Sequence, residues 1–184
     1  MTKETHHSIV VRKIQTHESR LYRSIRLACL KNAPHNFGST YEEEMSIPKL
    51  RFESYIEEDN DEHFMFGAFD NANLIGIAGF ERVERQRACH RGEVVQMYID
   101  AAYRGQNIGE LLLRGLIEQA FSVKGIEQLQ LSVIARNRAA IKLYEKIGFQ
   151  SFGVQPRYFK VGEQYMDQQF MQLLRSDYQG KVLC

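Results

Sequence analysis

Cysteine is scarce in this chain, and the three present, Cys29, Cys89 and Cys184, lie far apart with no CxxC pair. An odd, dispersed set of thiols argues against a disulfide framework or a zinc site and fits a reducing compartment, so the expected location is the cytoplasm. Metal-ligand spacing is missing as well. The six histidines and scattered carboxylates form no HExxH or similar pattern, and no metal is expected. No apolar run approaches the roughly 20 residues of a membrane span, and the N-terminal stretch Thr2 to Ser8 is polar, so no membrane partner is expected. Charge of one sign is not in excess: 24 Lys and Arg stand against 23 Asp and Glu, a formal net charge of +1. Nothing in that balance points to nucleic acid. Linkers, repeats and low-complexity tracts are also missing, and the 184 residues read as one domain over 1–184.

What is present is an ordinary globular composition, 43% hydrophobic and 26% charged, able to bury a full core. Ile9 to Ile14 reads as a first strand, and Glu18 to Lys31 as a helix ended by Asn32-Ala33-Pro34. The segment Phe37 to Ile47 has no clean period and is expected to be loop. Ser46-Ile47-Pro48 then sets up a second helix, with Pro48 in its first turn. Phe64 to Phe69 and Leu74 to Phe80 flank an Asp/Asn turn and predict a hairpin. After a charged loop, Glu81 to Arg91, come a strand at Glu93 to Ile99, a helix at Gly109 to Val123 and an alternating strand at Leu129 to Ala135. A short helix after Asn137 is closed by Gly148, and Phe149 to Val154 and Tyr165 to Leu174 supply the last strands. This order indicates a mixed α/β (α+β) layering of helices around one sheet.

The most informative stretch is Tyr103-Arg104-Gly105-Gln106-Asn107-Ile108-Gly109-Glu110, between the strand ending at Ile99 and the amphipathic helix. A tight turn into a helix bares backbone N–H groups at the positive end of the helix dipole, a good place for phosphate. The loop has neither the Lys-Ser/Thr ending of a P-loop nor the three-glycine spacing of a dinucleotide fingerprint. It predicts a pyrophosphate cradle of another kind.

Two motifs in the right order resemble the GNAT superfamily of acyl-CoA-dependent N-acyltransferases. Arg104-Gly105-Gln106-Asn107-Ile108-Gly109 matches the family's Gln/Arg-x-x-Gly-x-Gly/Ala loop, with Asn107 where glycine is usual. Asn is among the non-glycine residues that best tolerate the left-handed conformation. Asn137-x-x-Ala140-x-x-Leu143-Tyr144-x-x-x-Gly148-Phe149 matches the later strand–helix signature. The resemblance covers nearly the whole chain. It implies a central, mostly antiparallel twisted sheet of six to seven strands flanked by about four helices.

The same resemblance implies acetyl-CoA as co-substrate and a primary amine as acceptor: a small amine, an amino acid or a peptide N-terminus. Met97, Tyr98 and Ile99 would pair with the pantetheine amides as though an extra strand had been added. Arg104, Gly105, Gln106, Asn107, Ile108, Gly109 and Glu110 would form the pyrophosphate loop, and Asn137 would reach the cofactor arm or serve as a helix N-cap. Tyr144 would face the sulfur as general acid, or be a core tyrosine. Glu93 matches in its offset from Gly109 the base carboxylate of the histone-acetylating branch. It reads as a general base or as a strand-end carboxylate paired with Arg91 or Arg87. Ser132 stands where the ribosomal-protein branch has its base. His90 and His35 are alternative bases, and His35 falls in the segment that binds acceptor in the family.

Between Glu42 and Glu62 the acids Glu42, Glu43, Glu44, Glu53, Glu57, Glu58, Asp59, Asp61 and Glu62 outnumber Lys49 and Arg51. The cluster reads as an acidic rim that attracts a cationic amine, or as a solvated helix face. Two functions therefore stand: an N-acetyltransferase, and a non-catalytic acyl-CoA-binding sensor or interaction module on the same fold. Dimerisation, common in the family, is open.

Overall fold

The computed structural model describes residues 8–180; Thr2 to His7 of the polar N-terminal stretch and Cys184 lie outside them. The strands β1 (Ile9–Lys13), β2 (His63–Asp70), β3 (Asn73–Arg82), β4 (Arg91–Ile99), β5 (Gln128–Ile134), β6 (Gln150–Val161) and β7 (Gln164–Leu174) form one sheet. Its order is β1-β2-β3-β4-β5-β7-β6. Every neighbouring pair is antiparallel except β4 and β5. The helices are α1 (Ser19–Asn32), α2 (Tyr41–Ser46), α3 (Arg51–Glu57), α4 (Ile108–Ser122) and α5 (Arg138–Ile147). This is the mixed, mostly antiparallel architecture expected from the sequence.

A core forms on each face of the sheet. On one face α4 and α5 bury Leu112, Leu113, Leu116, Ile117, Ile141 and Tyr144 against Phe64, Phe80, Leu129 and Met171. On the other, α1 and α3 bury Tyr22, Ile25, Phe52 and Ile56 against Met65, Ile77 and Tyr98. Full burial of each such side chain stabilises the fold by roughly 1.5–3 kcal/mol. Gly79 makes room for Phe52, since a Cβ there would stand 2.8 Å from the Phe52 ring.

Three expectations are corrected. Phe37 to Ile47 is not all loop: α2 occupies Tyr41–Ser46. A capping box fixes its start, with Thr40 Oγ1 accepting from the Glu43 N–H and Glu43 accepting from the Thr40 N–H. Helix α3 starts at Arg51, beyond Pro48, because Glu53 accepts the Leu50 N–H at 2.6 Å and an Arg23 N–H at 2.7 Å. Strand β6 runs on to Val161, past a bulge where Arg157 has φ 55° and its N–H donates to Asp167 at 2.8 Å. Among the described residues no helix is long and apolar enough to cross a membrane.

Candidate active site

The site begins with a fault in the sheet. β4 and β5 pair only at Arg91 with Gln128, Gly92 with Leu129 and Glu93 with Gln130. Beyond that point they part. The cause lies on the other side of β4, where Ile77 pairs with Tyr98 but Gly79 already pairs with Val95, so the strand carries a bulge. Gln96 sits in it with φ 55°, and its side-chain oxygen accepts from the Tyr22 hydroxyl at 2.9 Å. Burial pushes the Tyr22 phenol far above its ordinary range, which keeps it a donor.

The gap is a cavity of about 580 Å³, walled by Val94 to Ile99 of β4, Ser132 to Ile134 of β5, and Asn137, Ala140, Leu143 and Tyr144 around α5. At one end lies the loop from Tyr103 to Gly109. Arg104 crosses it, its Nε donating to the Ile99 carbonyl at 3.1 Å. Gly105 has φ 78°, with open space where a Cβ would stand. Asn107 takes φ 60°, ψ 7°, the left-handed conformation, and its side chain makes no cap bond to α4. The first-turn N–H groups of α4 have no intrahelical partners, as in any helix. Gly109 lies close beneath the strand: a Cβ there would be 3.6 Å from Met97 Cε.

The cavity wall takes Met97, Tyr98, Ile99, Arg104, Gly105, Ile108, Gly109, Asn137 and Tyr144 from among the residues singled out in the sequence. Gln106, Asn107 and Glu110 are not part of it. Gln106 reaches back to the Ala102 carbonyl. Glu110 pairs with Arg114 at 3.0 Å and with Lys146, and the Lys146 ammonium holds its carboxyl below the usual range. Asn137 is the N-cap of α5, accepting the Ala140 N–H at 3.3 Å, and also lines the cavity. Tyr144 is 6% exposed, and burial pushes its phenol up to about 12.

Glu93 lies outside the cavity, exposed in an adjoining hollow of about 250 Å³ with Gln130, Ser132, Phe152, Tyr158 and Phe170. Val94, Val95, Ser132 and Tyr158 belong to both spaces. Neither Arg87 nor Arg91 pairs with Glu93; its cross-strand neighbours are Glu81 on β3 and Gln130 on β5. Burial raises the Glu81 carboxyl, and the Glu93 charge adds to the shift. His35 is exposed and His90 half-buried, and neither lines the cavity.

Asn36, Phe37 and Gly38, in the loop where the family's acceptor segment falls, line the cavity, while Arg26, Tyr158, Phe159 and Gln168 line it without having carried a signal in the sequence. Arg26 is 3% exposed and grips Glu44 through two hydrogen bonds, 2.8 and 2.5 Å, with its guanidinium 5.1 Å from the Phe37 ring. Gly38 lies against Phe159, where a Cβ would meet the ring at 2.8 Å, so the loop after α1 and strand β6 close together over the cavity. The acids of the Glu42–Glu62 segment are largely engaged elsewhere. Glu53 pairs with Arg23, Glu57 with Lys49, Asp59 and Asp61 with Lys13, and Glu62 with Arg82. They do not rim the cavity.

Comparison with known proteins matches this arrangement. The model of the acetyltransferase (GNAT) family matches residues 26–149. N-alpha-acetyltransferase RimI of Mycobacterium tuberculosis is 38% identical over 95 residues, 52% of this chain and 57% of the relative. The chain spans about half the length of the curated relatives it matches. An acetyltransferase of the GNAT family from Streptococcus pneumoniae superimposes with a TM-score of 0.77 at 25% identity, covering 91% of this chain and 99% of that one. The Salmonella typhimurium protein yncA, solved with its cofactor acetyl-CoA, gives 0.74 at 17% identity over 96% and 99% and shares the fold. With a family model covering the loop, the parted strands and the Tyr144 helix, the chain belongs to the acetyltransferase (GNAT) family.

Proposed function

We propose that this protein transfers an acetyl group from acetyl-CoA to a primary amine on a small molecule, an amino acid or a peptide N-terminus. One observation carries the reading: β4 parts from β5 beyond Glu93, and the resulting cavity has an anion-competent helix start at one end and a buried phenol on its wall.

The residues present fit acetyl-CoA. Gly105 leaves its backbone open to an anion, and the loop leads into the positive end of the α4 dipole. Arg104, Gly105, Ile108 and Gly109 would hold the pyrophosphate, with Gln106, Asn107 and Glu110 offering backbone groups only. Met97, Tyr98 and Ile99 belong to a strand segment without a β5 partner, free to pair with the pantetheine amides. Asn137 has its side-chain nitrogen left over after capping α5. Bound there, acetyl-CoA supplies an acyl carbon already activated as a thioester.

The chain's own residues then move two protons. Glu93, in the hollow that shares Val94, Val95, Ser132 and Tyr158 with the cavity, takes one from the acceptor ammonium, directly or through water. Tyr144 gives one to the departing sulfur. Burial keeps its phenol protonated, which suits a donor. Because a thiol titrates near ~8.5, far below this phenol, the donation helps only while coupled to C–S cleavage. The proposal includes a reducing, cytoplasmic setting, supported by the free thiols of Cys29 and Cys89.

The test is thiol release from acetyl-CoA across polyamines, amino acids, aminoglycosides and basic peptides. Turnover of one class supports the reading and names the acceptor. Silence across the panel, with acetyl-CoA still bound in calorimetry, would favour an acyl-CoA sensor.

A further inference from the structure

We propose that Gln168 orients the acceptor, its side-chain oxygen receiving an N–H of the attacking amine. The inference rests on the transferase reading above. Gln168 lies on β7 opposite Ile134 of β5, is 6% exposed and lines the cavity. Its Oε1 is buried and has no hydrogen-bond partner. Such an orphaned oxygen is destabilising, so one on a residue that lines a cavity points to a ligand that completes it.

The other amide oxygens on the wall are engaged or exposed. Among the described residues the cavity wall carries no carboxylate, and its only charged side chains are Arg26 and Arg104. Arg26 is committed to Glu44, and Arg104 donates to the Ile99 carbonyl. An amine entering this space must therefore give its N–H groups to neutral oxygens. The side-chain oxygen of Gln96 already receives the Tyr22 hydroxyl, and that of Asn137 receives the Ala140 N–H. Asn36 is exposed in the loop after α1. Gln168 has the buried amide oxygen that is still free, and Tyr158 and Phe159 line the same cavity beside it. Glu93 then serves for deprotonation and Gln168 for direction.

The experiment compares wild type with Gln168→Met and Gln168→Asn, using spermidine, single amino acids, an aminoglycoside and short basic peptides, whichever wild type turns over. Gln168→Met keeps the volume and removes the oxygen. It should raise the amine KM about tenfold, the loss of one hydrogen bond, and leave the acetyl-CoA KM unchanged. Its Tm should hold or rise, because an unsatisfied buried polar group has gone. A structural role for Gln168 would instead lower Tm and raise both KM values together. That result, or an unchanged amine KM, overturns the proposal. Should Gln168→Met fail to fold, Gln168→Asn decides: it keeps a neutral amide but draws the oxygen back by one methylene, which should raise the amine KM about fivefold and leave the acetyl-CoA KM unchanged, and no change overturns the inference. If wild type releases no thiol with any amine, the transferase reading fails and this inference falls with it.

Discussion

Tyr22 and Gln96 are joined across the two layers of the molecule, the hydroxyl of the helix residue donating to the side-chain oxygen of the strand residue at 2.9 Å. Gln96 has φ 55° in the bulge of β4, a conformation that costs a non-glycine residue of order 1–3 kcal/mol and persists only when its surroundings hold it. Tyr22, 1% exposed and packed beside Phe52, is part of what holds it. The bulge turns β4 away from β5, and the candidate site is the gap that results.

Tyr22→Phe keeps the ring and removes the bond, leaving the Gln96 amide oxygen unpaired. It should cost about 1–3 kcal/mol, seen as a Tm lower by roughly 2–10 °C in calorimetry. Acetyl-CoA should also bind more weakly as the bulge loosens.

Asn107 already sits in the left-handed conformation. Asn107→Gly should therefore leave Tm nearly unchanged and acetyl-CoA affinity equal or higher. Asn107→Val, β-branched at positive φ, should lose about 1–3 kcal/mol and the affinity with it. Thermal scans paired with isothermal titration would read both.

Tyr144→Phe should lower kcat by about 10²-fold or more, the usual worth of a general acid, with acetyl-CoA affinity retained. The pH dependence has a definite sign. The folded state raises this phenol to about 12 from an unfolded value near ~10, so the folded state holds the proton more tightly. That contribution to stability is complete below about pH 10 and is lost as pH rises through about 12. Chemical denaturation of wild type and Tyr144→Phe across this window should show the larger loss in wild type, since the raised Tyr22 phenol is common to both proteins.

Glu93→Gln should reduce kcat/KM for the amine about 10²-fold near neutral pH, with partial recovery at alkaline pH, where free amine is more abundant. Its acetyl-CoA KM should not move. An unchanged rate would shift the base to water or another group.

Glu44→Ala strands the Arg26 guanidinium, which is 3% exposed, and should destabilise the protein by about 3–5 kcal/mol. The double variant Arg26→Met/Glu44→Leu should recover most of that, since apolar replacement removes the desolvation cost of both charges. Urea unfolding of the three proteins measures the difference.

Local chemistry made much of the fold legible. The strands with period two, the amphipathic run Leu112 to Phe121 and the Gly148 cap, with φ 117°, are decided by neighbours a few residues away. The same holds for α2, whose Thr40-x-x-Glu43 capping box was there to be read but lay in a stretch without apolar period. The end of β6 was not legible, because its bulge at Arg157 is fixed by Asp167 on the next strand.

The candidate site divides in the same way. Sequence by itself determined the backbone loop from Arg104 to Gly109 and the Asn137–Tyr144 helix, since an anion cradle and a capped turn are built from contiguous residues. Tertiary structure alone decided that β4 and β5 part, that Gln106, Asn107 and Glu110 fall outside the cavity wall, and that most acids of Glu42–Glu62 are held in ion pairs and do not line it. It alone brought Arg26, Phe37, Tyr158, Phe159 and Gln168 together. The physical reason is that a side chain's role at a site depends on which partners it meets across the sheet, and those partners lie tens to more than a hundred residues away along the chain.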